Sequence, residues 1–359
     1  RMLTTLTEGR FPARRIVKVD EKNGYLYYTA RSGPNPLCEY LHRVKLNGTG
    51  QRRITPIAGD LNYSRINMSP NGKWFVARRE SVEQPPATLL FSTEGEFVSD
   101  LANGAEIKNT RTELFSFTAA DDTTILYGYL HKPADFDPAK EYPLIVSVYG
   151  GPGSGSVSNR YREGYKTYNE KGYLVAQFDN RGTAGRGKAF KDAVYRKLGS
   201  VDIADQAAGV RFLRRRPYVD GRRVGIVGHS YGGYMAVMGL AKYPHVFSVA
   251  VDRAGPTDWK NYDSIYTERY MSLPRDNRVG YETSCVMNYV ENISGNLLIM
   301  HGLVDDNVHA TNAWQLIEAL DREGIPYESR FFPRNGHGFR GYDTVMDFFD
   351  EYLMESKDF

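Results

Sequence analysis

The stretch that decides the fold is Arg223–Lys242, which reads RVGIVGHSYGGYMAVMGLAK. It opens with an apolar run typical of a buried strand, and Tyr231–Lys242 has the pattern of a helix. The junction, Gly228-His229-Ser230-Tyr231-Gly232, matches the pattern G-x-S-x-G. Between a strand and a helix, this pattern predicts a turn so tight that its flanking residues must be small, with the Ser230 hydroxyl presented at the edge of a sheet. The N–H of Tyr231, at the start of the helix, would then point toward an oxyanion.

From about residue 110 onward, apolar strands alternate with helices on both sides of this stretch. Further strands are expected at Tyr142–Tyr149, Tyr173–Asp179, Val246–Val251, Asn296–Met300 and Tyr327–Phe332. Further helices are expected near Val201–Arg215, Ala310–Glu323 and Thr344–Met354. The alternation predicts an α/β fold, a doubly wound, mostly parallel sheet covered by helices on both faces. Ligands of such sheets bind at the carboxyl ends of the strands.

A nucleophilic serine needs a base, and the base needs an acid that orients it. In α/β hydrolases the two follow the serine in the order acid then histidine, each after a strand. The strand at Asn296–Met300 is followed by His301-Gly302-Leu303-Val304-Asp305-Asp306, and the strand at Tyr327–Phe332 by a loop with His337 between two glycines. We therefore expect His337 to be the base. Asp305 and Asp306 both remain candidates for the acid, because spacing does not separate them.

The first hundred residues follow a different pattern, short strands of period two separated by turn signals. Asn23-Gly24 and Asn71-Gly72 each precede such a run, at an offset of 48 residues. Four-stranded meanders that repeat every 40 to 50 residues are typical of β-propeller blades, although a small antiparallel sandwich is an alternative. Since propellers close with about four to eight blades, two blades here predict that upstream blades of the same polypeptide are missing from this chain.

Composition excludes several classes of protein. Charged residues are 25% and hydrophobic residues 41% of the chain, as in globular proteins, and the formal net charge is +3, too balanced to indicate nucleic acid as a partner. No apolar run is long enough to span a membrane. The chain has two cysteines, Cys38 and Cys285, which are too few for a disulfide framework or a zinc knuckle. His301 and His309 flank the aspartates without a metal-binding spacing, and we expect neither a metal nor a cofactor.

The second half of the chain resembles the prolyl oligopeptidase family of serine peptidases, in its dipeptidyl peptidase IV branch. The resemblance extends over essentially the whole chain and is carried by Phe178–Gly182 (FDNRG), Gly228–Tyr234 (GHSYGGY), Tyr262–Met271 (YDSIYTERYM), His301-Gly302 and Asp305–His309 (DDNVH). General esterases lack the YDSxYTERYM segment. The resemblance implies a partial β-propeller of about two blades over residues 1–110, followed by an α/β-hydrolase catalytic domain over residues 111–359.

The resemblance also implies roles for individual residues. It makes Ser230 the nucleophile, Asp305 the acid and His337 the base, with the hydroxyl of Tyr149 and the N–H of Tyr231 as oxyanion donors. The substrate-binding residues that it implies, with Asn307 holding a substrate carbonyl, are Tyr231, Trp259, Tyr262, Tyr266, Asn307 and Val308. Aromatic walls suit a proline ring, which is compact and apolar. The expected function is a serine exopeptidase that releases N-terminal dipeptides with penultimate proline or alanine through an acyl-enzyme.

The sequence departs from the branch in two places. The branch commonly has tryptophan where this chain has His229, and it reads the substrate's amine with a pair of propeller glutamates that no segment here matches. A tripeptidyl, acylaminoacyl or endo-acting peptidase of the same clan, a carboxylesterase and a non-catalytic scaffold therefore remain as alternatives. By analogy with the family we expect pairing into homodimers and a location outside the cytoplasm.

Overall fold

The computed structural model describes residues 5–9, 11–57, 59–104, 111–162 and 165–354. The chain folds into two compact units. The first comprises Arg1–Leu114 with Val157–Gly164 and Gly185–Gly187, and the second comprises the remainder of the chain. Residue 110, where the sequence predicts that the first domain ends, lies outside the described residues. The two short segments assigned to the first unit come from loops that the sequence pattern placed in the second domain.

The first unit contains two antiparallel sheets of four strands each. Both are meanders, with orders β1-β2-β3-β4 and β5-β6-β7-β8, which is the blade architecture that the repeat predicts. The strands are β1 (Ala13–Asp20), β2 (Tyr25–Ala30), β3 (Tyr40–Lys45), β4 (Arg52–Arg53), β5 (Asn62–Met68), β6 (Trp74–Glu80), β7 (Ala87–Ser92) and β8 (Phe97–Ala102).

Alternation along these strands builds an aromatic core. Tyr40, Tyr63, Phe75 and Phe91 are all buried in one cluster, and the rings of Phe75 and Phe91 stack with centroids 5.1 Å apart. The turns between the strands use glycine where the backbone needs a positive φ, as at Gly72, whose φ is 69°. Six of the eight strands coincide with runs of period two that the sequence predicts, at Tyr25–Thr29, Tyr40–Leu46, Tyr63–Asn67, Lys73–Arg79, Thr88–Ser92 and Phe97–Leu101.

The second unit is built on an eight-stranded sheet of order β16-β15-β14-β13-β11-β12-β10-β9. Neighbours from β12 through β11 and β13 to β16 run parallel, whereas β10 pairs with β12 in the antiparallel direction. The strands are β9 (Thr112–Thr118), β10 (Ile125–His131), β11 (Tyr142–Val148), β12 (Leu174–Phe178), β13 (Val219–His229), β14 (Val249–Arg253), β15 (Asn296–Gly302) and β16 (Glu328–Phe332).

Helices cover the sheet, and side chains of alternating direction fill a core on each face. On β11, Leu144 and Val146 belong to one buried cluster and Ile145 to the other, as expected of a strand buried on both faces. The helices are α1 (Lys166–Asn169), α2 (Lys188–Lys191), α3 (Val201–Leu213), α4 (Tyr231–Lys242), α5 (Ser264–Met271), α6 (Arg278–Ser284), α7 (Thr311–Glu323) and α8 (Tyr342–Phe349). Short 3₁₀ segments lie at Asp192–Val194, Trp259–Asn261, Pro274–Asp276 and Val286–Asn292, and a π-helical turn at Asp350–Met354 follows α8. In the part of the chain that is described, no helix is both long and apolar enough to cross a bilayer.

The register of the parallel strands brings their carboxyl ends to one edge. Val148 of β11 lies opposite Gly228 of β13, and His229 lies opposite Arg253 of β14. On the far side, Gly302 of β15 lies opposite Phe332 of β16. The loops that follow these strands carry Tyr149, Ser230, Asp305 and His337, so the candidate residues meet at a single edge of the sheet.

Candidate active site

Ser230 occupies a strained turn between β13 and α4. Its φ of 59° and ψ of −122° lie in a region that side chains other than glycine rarely adopt. The backbone N–H of Ser230 donates to the carbonyl oxygen of Arg253 over 2.8 Å, which anchors the turn to β14. The turn therefore has the geometry of a nucleophile elbow.

The glycines of the elbow are required by crowding. A Cβ at Gly228 would collide with the backbone of Gly232, and a Cβ at Gly232 would collide with the carbonyl oxygen of Val148. A Cβ at Gly233 would collide with the carboxylate of Asp252. Helix α4 can therefore approach β11 and β14 closely only because these positions lack side chains.

Asp305 and His337 form a hydrogen-bonded pair. Nδ1 of His337 lies 2.8 Å from Oδ2 of Asp305, and the carboxylate is fully buried whereas 20% of the histidine side chain is exposed. Because a carboxylate accepts, Nδ1 carries the proton and Nε2 of the neutral ring is left free to accept one. No hydrogen bond joins Ser230 to His337 in the described structure, and such contacts are often looser before substrate binds.

The surroundings of Asp305 distinguish it from Asp306. Oδ1 of Asp305 accepts the backbone N–H groups of Asn307 and Val308 at 2.9 and 3.0 Å, which holds the carboxylate against the imidazole. His301 lies 3.4 Å from Oδ2, donates to the carbonyl of Val308 over 2.7 Å, and has its pKa lowered by burial. Asp306 is exposed on the same loop. The structure therefore brings Asp305, and not Asp306, to His337.

Tyr149 follows β11 and lies beside the elbow, with its ring centroid 6.2 Å from that of Tyr231. Partial burial raises the pKa of Tyr149, so its hydroxyl stays protonated and able to donate. The next residue, Gly150, has a φ of 74°, and its carbonyl accepts a hydrogen bond from the buried Asn180 over 3.0 Å. Asn180 in turn accepts one from Gln206, so buried amides hold the Tyr149 turn in position.

Four aromatic side chains near the elbow pack into one assembly, which we call the aromatic group: Tyr231, Trp259, Tyr262 and Tyr266. Its core is Trp259, whose ring lies 5.4 Å from Tyr231, 5.8 Å from Tyr262 and 5.9 Å from Tyr266. Tyr262 and Tyr266 meet edge to face at 5.4 Å. Trp259 is almost completely buried, whereas Tyr262 and Tyr266 are half-buried. The aromatic group thus presents a partly open apolar wall.

Asn307 and Val308 connect the acid loop to the aromatic group. Oδ1 of Asn307 accepts a hydrogen bond from the hydroxyl of Tyr262 over 2.8 Å. Val308 is fully buried, and its backbone holds Asp305 and His301. All the residues that the sequence proposes for the site therefore lie in the second unit, after the carboxyl ends of β11, β13, β14, β15 and β16.

Two supporting contacts escaped the sequence analysis. The hydroxyl of Tyr231 donates over 2.6 Å to Asp202, a fully buried carboxylate on α3. Nε2 of His229 lies 2.7 Å from the carbonyl oxygen of His337, and the two histidine rings have centroids 4.6 Å apart. No local pattern marks either contact, because each joins side chains from distant parts of the chain. Within the described ranges, no group of three or more histidine, cysteine or acidic side chains is arranged to hold a metal ion.

Comparison with known proteins places this site in a family. The model of the prolyl oligopeptidase family matches residues 159–356, and that of the dipeptidyl peptidase IV N-terminal region matches residues 1–86. The chain is 34% identical to dipeptidyl peptidase 8 of Homo sapiens over 347 residues, which are 90% of this chain and 38% of that protein. It is 40% identical to dipeptidyl peptidase 8 of Mus musculus over 345 residues, again 90% of this chain and 38% of the relative. The chain thus spans well under half the length of these curated relatives.

Solved structures support the same family assignment. The Porphyromonas gingivalis dipeptidyl peptidase 4 structure has a TM-score of 0.84 and 29% identity, covering 98% of this chain and 51% of that one. A Bacteroides ovatus structure has a TM-score of 0.88 and 31% identity, covering 97% of this chain and 51% of that one. The α/β-hydrolase fold preceded by part of a propeller is therefore shared with these proteins. The chain belongs to the prolyl oligopeptidase family, in its dipeptidyl peptidase IV branch.

Proposed function

We propose that this chain carries the catalytic site of a serine exopeptidase that releases N-terminal dipeptides with penultimate proline or alanine. The observation that carries the proposal is the hydrogen-bonded pair of Asp305 and His337 beside a strained Ser230. The names of the relatives, which are dipeptidyl peptidases, support the dipeptidyl register. The peptide class of substrate follows from the family, and proline at the position before the cleaved bond is part of the proposal.

Acylation would begin when Nε2 of His337 takes the proton of Ser230 Oγ. The oxygen then bonds to the carbonyl carbon before the scissile bond, and the carbonyl oxygen becomes an oxyanion. The hydroxyl of Tyr149 and the N–H of Tyr231 are proposed to donate to it, each worth on the order of 3 kcal/mol in the transition state. Collapse breaks the C–N bond, and His337 gives its proton to the leaving amine. Water repeats the sequence to release the dipeptide.

The aromatic group supplies the pocket for the proline ring. Apolar area and stacking hold a compact ring against Tyr262 and Tyr266, which remain half-buried. Burial raises the pKa of both tyrosines, so neither would bring a negative charge to the pocket. Asn307, oriented by Tyr262, offers its side-chain amide N–H to a substrate carbonyl. By the same family analogy, we propose that the enzyme works as a homodimer, which measurement of its mass in solution tests.

Active-site labelling tests the catalytic residues. A fluorophosphonate should label the wild-type chain at Ser230 and should fail to label Ser230→Ala. Ser329→Ala, which removes an exposed hydroxyl on β16, is the matched control and should label as the wild type does. Labelling of Ser230→Ala at the wild-type rate would contradict the assignment.

Hydrolysis of a matched pair, Gly-Pro-anilide and its N-acetylated form, by a protein that includes the propeller blades expected upstream tests the exopeptidase register. A preference for the free amine supports a dipeptidyl peptidase, because an anchored ammonium sets where cleavage occurs. Equal cleavage of both supports an acylaminoacyl or endo-acting peptidase. Rapid turnover of short acyl esters with poor turnover of both anilides supports an esterase.

A further inference from the structure

A cavity of about 280 Å³ opens at the carboxyl ends of β11, β12, β13 and β14. It is a feature of the second unit and is separate from the aromatic group. Its walls combine apolar surface with polar side chains, which include Ser147, Tyr165, Gln177, His229, Arg253 and Tyr342. The hydroxyls of Ser147 and Tyr165 are hydrogen-bonded to each other over 3.0 Å. Oε1 of Gln177 is buried and has no hydrogen-bond partner. A cavity of this size, with a few convergent polar groups in its walls, suits a small polar group.

Arg253 is the one residue with a permanent charge among the described walls of the cavity. Its guanidinium lies between two rings, with Cζ 5.3 Å from the centroid of Phe339 and 5.0 Å from that of Tyr342. Nη2 donates to the carbonyl oxygen of Phe339 over 3.0 Å, and Nε is buried with no partner. No carboxylate among the described residues pairs with it. A partly buried guanidinium with donors to spare and no counter-ion is suited to binding an anion.

The cavity and the aromatic group adjoin the elbow through different neighbours of Ser230. His229, which precedes Ser230, forms part of its wall, whereas Tyr231, which follows Ser230, belongs to the aromatic group. The ring of His229 also packs against His337, the residue proposed to protonate the leaving amine. In the proposal that follows, the acyl half of a substrate lies against the aromatic group and the leaving peptide lies on the side of His229 and Arg253. Burial lowers the pKa of His229, which leaves Arg253 as the cation of the cavity at neutral pH.

We propose that Arg253 binds a carboxylate of the leaving peptide in this cavity, so that the enzyme favours short or acidic leaving peptides. The carboxylate is either the peptide's C-terminus or an acidic side chain close to the cleaved bond. The role in catalysis rests on the proposed function, whereas the binding of a carboxylate at Arg253 does not.

Four substrates separate the two sources of the carboxylate: Gly-Pro-Ala-Glu, its C-terminal amide, Gly-Pro-Ala-Gln and the amide of the last. We expect kcat/KM to be about tenfold higher with the favoured carboxylate than with its neutral counterpart, the effect of one charge-assisted hydrogen bond. If amidation of the C-terminus lowers kcat/KM, Arg253 binds the C-terminal carboxylate. If exchange of Glu for Gln lowers kcat/KM, Arg253 binds the side-chain carboxylate. Equal kcat/KM for all four overturns the proposal.

Arg253→Met should abolish the difference between acidic and neutral peptides. Arg330→Met, the same change at an exposed arginine on β16, should retain it. Since Arg253 also holds the carbonyl of Phe339, its loss can lower turnover of every substrate, and the ratio between acid and amide is the diagnostic quantity. A uniform fall with an unchanged ratio would make Arg253 a positioning residue for the His337 loop and contradict the proposal.

Calorimetry with the products' analogues separates this proposal from the proposed function. Ala-Glu should bind wild-type protein more tightly than Ala-Gln amide, and Arg253→Met should remove the preference. If Ala-Glu binds through Arg253 but Gly-Pro-anilide is not cleaved, the proposed function is wrong and the carboxylate site stands. If the anilide is cleaved but Ala-Glu binds no better than Ala-Gln amide, the carboxylate site is wrong.

Discussion

Nε2 of His229 donates a hydrogen bond to the backbone carbonyl oxygen of His337 over 2.7 Å. A carbonyl oxygen only accepts, so Nε2 carries the proton and the ring is held in one tautomer when neutral. The residue that precedes the proposed nucleophile thereby supports the loop that carries the proposed base. This contact links the Ser230 elbow to the end of β16 across the intervening β14 and β15.

Replacing His229 should disturb that loop without removing any reacting group. We expect His229→Phe, which keeps a ring but lacks the donor, to lower kcat by roughly tenfold with little change in KM, the cost of about one lost hydrogen bond. Steady-state kinetics with Gly-Pro-anilide measures both constants. His229→Gln, which retains an N–H donor, should recover part of the loss. Equal kcat for His229→Phe and the wild type would show that the contact does not support catalysis.

The acid is expected to be Asp305. Asp305→Asn leaves an amide that can present its N–H to His337 and favour the wrong tautomer, so kcat should fall by roughly a thousandfold or more. Asp306→Asn changes an exposed carboxylate and should remain close to wild type. Two results would contradict Asp305 as the acid. One is the same fluorophosphonate labelling rate for Asp305→Asn and the wild type, and the other is a larger fall of kcat in Asp306→Asn than in Asp305→Asn.

Tyr149 is expected to act mainly on the transition state. Tyr149→Phe removes the hydroxyl and keeps the ring beside Tyr231. Loss of one oxyanion donor should lower kcat by on the order of a hundredfold, with KM nearly unchanged. A rise in KM at constant kcat would instead mean that the hydroxyl binds the ground state of the substrate.

Asp252 gives the fold a pH dependence of its own. The carboxyl is almost completely buried at the end of β14, accepts a hydrogen bond from the Gly255 N–H over 2.8 Å, and has its pKa raised by burial to about 7. Because the unfolded chain releases this proton near its ordinary pKa of about 4, the folded state binds more protons between those values. The contribution to the free energy of unfolding is therefore greatest at low pH and is lost as pH rises toward about 7.

Asp252→Asn should remove this slope, which is on the order of 1 kcal/mol per pH unit. Thermal unfolding at about pH 5 and about pH 8 compares the two proteins, because most of the expected loss of stability falls between these values. We expect the variant to gain Tm relative to wild type at the higher pH and to gain less or lose at the lower. Asp306→Asn is the exposed control. Parallel curves for Asp252→Asn and wild type would mean that Asp252 has an ordinary pKa.

Local sequence patterns account for the elements that could be predicted. Helix α4 begins at Tyr231 and ends at Lys242, as the sequence indicates, because a glycine-rich turn precedes an uninterrupted run of buried side chains. Strands β9 and β10 of the second unit were not predicted, nor were β1 and β4 of the first unit. Most of β1 is exposed or half-buried, so it lacks apolar alternation, and β4 contains two residues. Both exist because a neighbouring strand offers backbone hydrogen bonds, which no local pattern records.

What the sequence determined by itself is the strand–turn–helix around Ser230, the order of acid and histidine after it, and the two meanders before it. Those features depend on residues close together in the chain. Tertiary structure decided that Asp305 rather than Asp306 meets His337, that His229 holds the His337 loop, and that Arg253 faces a cavity without a counter-ion among the described residues. Each depends on the direction of a side chain and on the burial of its surroundings, which are set only when the ends of separate strands meet at one edge of the sheet.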